Sequence, residues 1–177
     1  MKRVFLLCAI LCMGACTNQI KRSSPQEKVR VSSEGDVCFS PDEACDEKLI
    51  EFIQSAKQSL DIAVFDITHP QIVHEILVMA RRVPVRIMVD KRQSKEPHSL
   101  VSTFLRAGAQ VKVGYQRGIM HNKFIVLDQK TVETGSFNFT NNASFRNQEN
   151  QVYLNDPKIV ERFRSRFEKM WNEGRAL

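Results

Sequence analysis

Three observations predict that this 177-residue sequence folds as an α/β domain whose mixed β-sheet is sandwiched between helices. Apolar residues recur at helical spacing in four segments. Short runs rich in β-branched residues alternate with the first three of these. Beyond His121 the alternation gives way to closely spaced strands, which calls for antiparallel pairing beside the crossover part of the sheet.

Taken in order, residues 37–39 read as a short strand. Over 43–56, Leu49, Ile50, Phe52, Ile53 and Ala56 share a helical face. The run LDIAVFDI at 60–67 is apolar with interspersed acids, which suits a strand covered on both faces. Ile72, Val73, Ile76, Leu77 and Ala80 repeat the helical spacing over 70–80, with Pro70 tolerated in the first turn. A second core strand follows at 83–89, then a helix at 99–107 closed by Gly108, and a strand at 111–113. Strands at 124–127 and 131–134 flank Asp128-Gln129-Lys130 with hairpin spacing, and another strand covers 151–154. Asp156 as N-cap before Pro157 opens a last helix that runs to Glu173 and stops at Gly174. Its face of Ile159, Val160, Phe163, Phe167, Met170 and Trp171 docks on the sheet, while Arg162, Arg164, Arg166 and Lys169 read as solvated.

With 42% apolar and 26% charged residues, the composition excludes a disordered chain and a polytopic membrane protein. Residues 1–16 read as a targeting segment. Lys2 and Arg3 precede a short apolar stretch, and Met13-Gly14-Ala15-Cys16 resembles a bacterial lipobox. That implies cleavage before Cys16 and lipidation of its thiol; plain secretion or an uncleaved anchor is the alternative, since Met is a less usual first residue. Residues 17–35 are a polar linker and 36–177 the domain. Outside the targeting segment only Cys38 and Cys45 remain, a pair that reads in an oxidising compartment as a disulfide closing CFSPDEAC. The alternative is half of a zinc site, which no second Cys pair or closely spaced His pair completes. Net charge is +6, or +4 with 24 basic and 20 acidic residues once Lys2 and Arg3 are set aside, a balance that suits an anionic partner.

Chemistry converges on residues 121–149, HNKFIVLDQKTVETGSFNFTNNASFRNQE. His121, Lys123 and Asp128 are spaced H-x-K-x4-D, a pattern that three fixed letters produce by chance on the order of once per ten thousand starting positions. Context adds the weight. On a strand, His121 and Lys123 would share a face, with Phe124 and Val126 turned to the core. Gly118 and Gly135 bracket the unit where the backbone has to come close to a ligand. An imidazole attacks phosphorus or accepts a proton near neutral pH. Lys123 neutralises non-bridging oxygens, Ser136 and Asn138 add donors, and Glu149 accepts the second imidazole N–H.

This stretch resembles the signature of the phospholipase D superfamily, H-x-K-x4-D-x6-G-S with a downstream Asn. TVETGSFNFT and RNQEN are especially similar to the bacterial Nuc-type endonucleases, including NucT, and FSPDEA, LDIAVFDIT and WNEGR fit as well. The resemblance implies the phospholipase D-like (Nuc) fold and a two-step reaction through a covalent phosphohistidine, with neither metal nor cofactor. His121 is then nucleophile in one subunit and general acid/base in the other. Lys123 and Asn138 bind phosphate, Glu149 orients His121 and Ser136 supports it. Asp128 belongs to the catalytic set as a structural or electrostatic partner. In-line displacement needs an attacking group and a leaving-group acid on opposite sides of phosphorus. His69, His74 and His98 lack a Lys two residues on. A C2 homodimer with paired motifs is therefore expected.

Bland readings cover the rest. His69 before Pro70 suits a turn or cap, although the junction Asp66-Ile67-Thr68-His69 lies where α/β sheets often hold ligands. His74 and His98 read as solvated. Lys91, Arg92, Lys95 and Arg117 form either a cationic rim for a nucleic-acid backbone or a solvated face. The expected function is a metal-independent endonuclease acting on DNA or RNA with little sequence preference and a lean toward single strands. It would sit at the bacterial cell envelope, membrane-anchored through its N-terminus. The competing readings are a phospholipase D-type lipid phosphodiesterase and a non-enzymatic DNA-binding module.

Overall fold

The computed structural model describes residues 35–114 and 118–177. The targeting segment with Cys16, the linker up to residue 34 and Arg117 lie outside the described residues. Eight strands make one sheet among them: β1 (Asp36–Ser40), β2 (Leu60–Val64), β3 (Val85–Val89), β4 (Gln110–Val113), β5 (Lys123–Leu127), β6 (Thr131–Gly135), β7 (Glu149–Leu154) and β8 (Arg175–Ala176). Their spatial order is β1-β7-β6-β5-β2-β3-β4-β8. Only β2, β3 and β4 run parallel to one another, joined by helices α2 (Pro70–Met79) and α3 (Val101–Arg106). The remaining neighbours are antiparallel, so the sheet is mixed as the change of rhythm after residue 121 implies.

Period-2 alternation divides the apolar residues between two layers. Ile62, Val64, Ile87, Val89, Ile125 and Leu127 face one way and pack with Leu49, Phe52 and Ile53 of α1 (Cys45–Gln54) and with Ile72 and Ile76 of α2. Ala63, Met88, Phe124, Val126 and Val132 face the other way, against Val160, Phe167, Met170 and Trp171 of α5 (Pro157–Glu173). Asp156 caps α5 by accepting from the amides of Lys158 and Ile159 at 2.9 and 3.0 Å. The same helix is tied to the sheet by Arg86, whose guanidinium spans Asp61 at 2.6 Å and Glu168 at 2.6 Å and lies over the Phe167 and Trp171 rings. Ile159, expected on the docked face, is exposed, whereas its neighbour Val160 is buried and carries the contact of the first turn.

Several boundaries differ from the periodicity reading. β2 stops at Val64 rather than 67, because Phe139 claims the following segment: its amide donates to Asp66 O and its carbonyl accepts from Thr68 and His69. β8 and the short α4 (Asn141–Phe145) carry no periodic signal at their length. Gly108, at φ +97°, ends α3 in the left-handed conformation the sequence suggests. Cys38 and Cys45 are bonded, Cα atoms 5.7 Å apart, which removes both thiolates from metal binding even though Glu43 lies beside them.

One core residue contradicts ordinary patterning. Glu133 is fully buried on the face covered by α1, next to Tyr153 in register, and neither carboxylate oxygen has a hydrogen-bond partner among the described residues. Burial pushes its pKa up to about 8, so the carboxyl is protonated at neutral pH. Because the folded value lies above the unfolded one, its contribution to stability is complete below about pH 4.5 and is lost as pH rises through about 8. Replacing Glu133 by Gln should therefore flatten the fall in melting temperature between pH 5 and pH 9, a difference on the order of 2–4 kcal/mol at the alkaline end. Parallel pH–melting curves for wild type and variant would contradict this.

Candidate active site

Antiparallel pairing gathers four strand ends at one edge of the sheet. The C-terminal end of β2 lies beside the N-terminal end of β5, with Val64 opposite Lys123. The C-terminal end of β6 adjoins it, and Gly135 stands opposite Gln151 near the start of β7. Phe65 and Asp66, which follow β2, therefore come together with His121, Lys123, Ser136 and Glu149, which the adjoining β5, β6 and β7 bring from one later stretch of sequence. Gly135 makes this possible by a close approach to protein rather than to ligand: a Cβ there would lie 2.0 Å from the Asn150 carbonyl oxygen. Gly118 has open space around it and is needed for its φ of +92°. At Gly135 this replaces the expectation of a close approach to a ligand.

His121 lies just before β5, not on it, so it does not share a strand face with Lys123 by pleat. Its ring packs on Phe65, centroids 4.8 Å apart. Lys123 is 7% exposed, with its ammonium donating to the His121 carbonyl at 2.8 Å and sitting 5.2 Å from the centre of the Phe65 ring. Burial pushes the Lys123 pKa below the usual lysine range, opposed by the charges of Glu149 and Asp66. Phe65 thus supports both members of the His–Lys pair. Nothing in its run of apolar neighbours distinguished it in the sequence.

Glu149 is held from two sides. Ser136 Oγ donates to Oε2 at 2.5 Å and Asn147 Nδ2 to Oε1 at 3.0 Å. Ser136 Oγ in turn accepts from the Asn150 amide at 3.1 Å. The support expected from Ser136 is present, and Asn147 is an addition that only its i, i+2 spacing from Glu149 could have signalled. Among the described residues no hydrogen bond joins Glu149 to the His121 imidazole. Asn138 stands on the segment leaving β6 that bridges to Ile67, and its carboxamide has a buried oxygen without a partner. Rotation of that amide presents its N–H2 instead, the group a phosphate oxygen needs.

Asp128 is the expected catalytic residue that the structure removes from the site. It lies at the opposite end of β5, where Asp128 and Gln129 adopt φ of 51° and 58° to turn the hairpin. Its carboxylate accepts from the amides of Lys57, Gln58 and Ser59 at 3.0, 2.6 and 3.0 Å, pinning the loop between α1 and β2. His69 is likewise structural: buried, it caps α2 by accepting from the Ile72 amide at 3.4 Å and lies 3.3 Å from Asp46. His74 and His98 are exposed, as are Lys91, Arg92 and Lys95.

A pre-set cation, an accessible imidazole and a carboxylate braced by neutral donors can stabilise and attack a phosphoryl group. Comparison with known proteins agrees with this chemistry. The family described as "Cardiolipin synthase, PLD-like domain" matches residues 49–171. The mitochondrial cardiolipin hydrolase of Chlamydomonas reinhardtii is 35% identical over 126 residues, 71% of this chain and 56% of that protein, so the match spans little more than half of the relative's length. Among solved structures, the phospholipase D family member Nuc from Salmonella typhimurium has a TM-score of 0.75 at 33% identity, covering 81% of this chain and 97% of that one. NucT from Helicobacter pylori has the same TM-score at 26% identity, covering 81% and 98%.

Separation of Asp128 from the chemistry has a measurable result. Asp128→Ala should lower stability by about 2–3 kcal/mol, since three amides lose a charged acceptor, while kcat measured well below the melting transition stays within about twofold of wild type. A large fall in kcat without loss of stability would return Asp128 to the catalytic set.

Proposed function

Because this chain belongs to the phospholipase D superfamily and is a phosphodiesterase of that kind, we propose that it is an endonuclease that hydrolyses nucleic-acid phosphodiester bonds without a metal, with little sequence preference and a bias to single strands. The observation that carries the reading is the buried Lys123 ammonium fixed beside His121, which places positive charge where a divalent ion would otherwise be required.

In the proposed reaction an imidazole nitrogen of His121 attacks phosphorus, forming a P–N bond as the P–O bond to the leaving nucleotide breaks. The departing oxygen takes a proton from the partner's His121. Water then gives a proton back to that histidine, attacks phosphorus and breaks the P–N bond. Lys123 and Asn138 hold the non-bridging oxygens through both steps. Glu149, oriented by Ser136 and Asn147, is available to an imidazole brought to it. One chain contributes a single histidine to the site, and this supports a C2 homodimer. We extend the proposal to delivery at the bacterial envelope through residues 1–16, with lipidation at Cys16.

Two features support nucleic acid as the substrate. The likeness to Nuc spans nearly all of that chain, and the exposed Lys91, Arg92 and Lys95 follow the C-terminal end of β3, at the same edge of the sheet. The description of the family match and the name of the Chlamydomonas relative favour a lipid phosphodiester instead.

Cleavage of single- and double-stranded DNA and RNA should proceed in EDTA and weaken as salt rises. His121→Ala should lose at least about a thousandfold in kcat. Choline or phosphatidyl product from phospholipid vesicles, with no cleavage of any oligonucleotide, would replace nuclease by lipase. Full activity from a chain that sediments as a monomer would remove the shared site.

A further inference from the structure

Asn122, between His121 and Lys123, turns toward α5, where a cavity of about 90 Å³ opens between β3 and the C-terminal half of that helix. Three thioethers, those of Met88, Met120 and Met170, form its apolar part together with Ile119, which is 49% exposed, and Asp90, Asn122 and Glu173 are among its polar lining. The Asn122 carboxamide makes only weak contacts there, Nδ2 to the sulfurs of Met120 at 3.7 Å and Met170 at 3.5 Å. Its oxygen has no hydrogen-bond partner among the described residues. Lys91 and Arg166 stand at the rim.

Acidic groups at this place are already engaged. Asp90 accepts from the amides of Arg92 and Gln93 at 2.8 and 3.2 Å and from Met120 at 2.9 Å, and Glu173 lies 4.0 Å from Lys169. Asp90 therefore fixes the segment that becomes both the cavity wall and the approach to His121. What remains for a ligand is a soft apolar slot, one amide able to donate and accept, and two cations outside it.

That combination fits a nucleobase. Polarisable sulfur adapts to the faces of any planar ring, and a carboxamide pairs with donor–acceptor edges. At about 90 Å³ the slot is smaller than the roughly 150 Å³ cavity that encloses benzene, so a single ring would enter it edge-first through the open mouth, partly enclosed, and a stacked pair would not fit. Building on the nuclease reading, we propose that this cavity is a nucleobase subsite, which receives the base of the nucleotide adjoining the scissile phosphate and binds its edge through Asn122, with Lys91 and Arg166 meeting the next phosphate. A base enters it only after leaving its stack, so the subsite itself selects single strands. Rotation of the Asn122 amide lets it serve several bases, which keeps sequence preference low.

The test is a cycle of two changes. Oligonucleotides carrying either a normal base or a tetrahydrofuran abasic analogue beside a single cleavable phosphate are hydrolysed by wild type, Asn122→Ala and, as a control at the far end of β5, Lys130→Ala. Wild type and Lys130→Ala should favour the base-bearing strand in kcat/KM by about fivefold or more, the worth of one hydrogen bond and some apolar contact. Asn122→Ala should lose most of that preference while still cleaving the abasic strand, which also shows that the variant is folded. Equal rates on both strands in wild type, or an equal loss on both in Asn122→Ala, would overturn the subsite and leave the nuclease reading standing. Hydrolysis of lipid with no cleavage of either strand would overturn both.

Discussion

The antiparallel seating of β5 against β2, with Lys123 opposite Val64, is the constraint on which the rest of the site depends. It makes a lysine the first residue of a strand buried along its whole length. An ammonium in that position is costly to desolvate. The cost is offset locally: its protons meet the His121 carbonyl, its charge meets the Phe65 ring, and Glu149 and Asp66 supply opposite charge nearby. The same contact fixes the backbone of His121, which has left the sheet and needs another means of being held. The cation proposed to bind phosphate and the histidine proposed to react with it are thereby one mechanical unit.

Much of this was legible in the sequence because it is local. Asp156-Pro157, the face of α5 apart from Ile159 and the left-handed Gly108 follow from near neighbours, and the structure has each in place. The grouping of His121, Lys123, Ser136 and Glu149 was legible because one stretch of thirty residues contains them all. Strand order was not, since β1 and β7 pair from opposite ends of the described chain and no periodicity encodes a partner. Phe65 was hidden in an apolar run for the same reason. Its importance comes from leaving the sheet one residue beyond Val64, where Phe139 takes over the pairing.

Asp128 shows how a motif can group a residue with the site that the fold places at the far end of the strand, in the structural role its type allows. The four residues between Lys123 and Asp128 are the rest of β5, so the pattern measures the length of a strand. Its last member turns the hairpin and anchors residues 57–59, which lead into β2. Asp90 does comparable work at the other end of β3, binding the segment before His121. His121 and strand β2 are thus each approached through a loop tied by a carboxylate to backbone amides, an arrangement that relies on neither side-chain length nor helix packing.

Pairing of β1 with β7 sets an order of assembly. Local contacts such as Cys38 with Cys45, or α1 with α2, can form on a short chain. The first described strand, however, has no neighbour until the chain has been made as far as Leu154, and closing so long a loop is slow compared with forming a helix. β7 also brings Glu149, so the β1 edge of the sheet and the carboxylate proposed for the site arrive together. A partly made chain therefore has His121 and Lys123 before it has the carboxylate proposed to complete them.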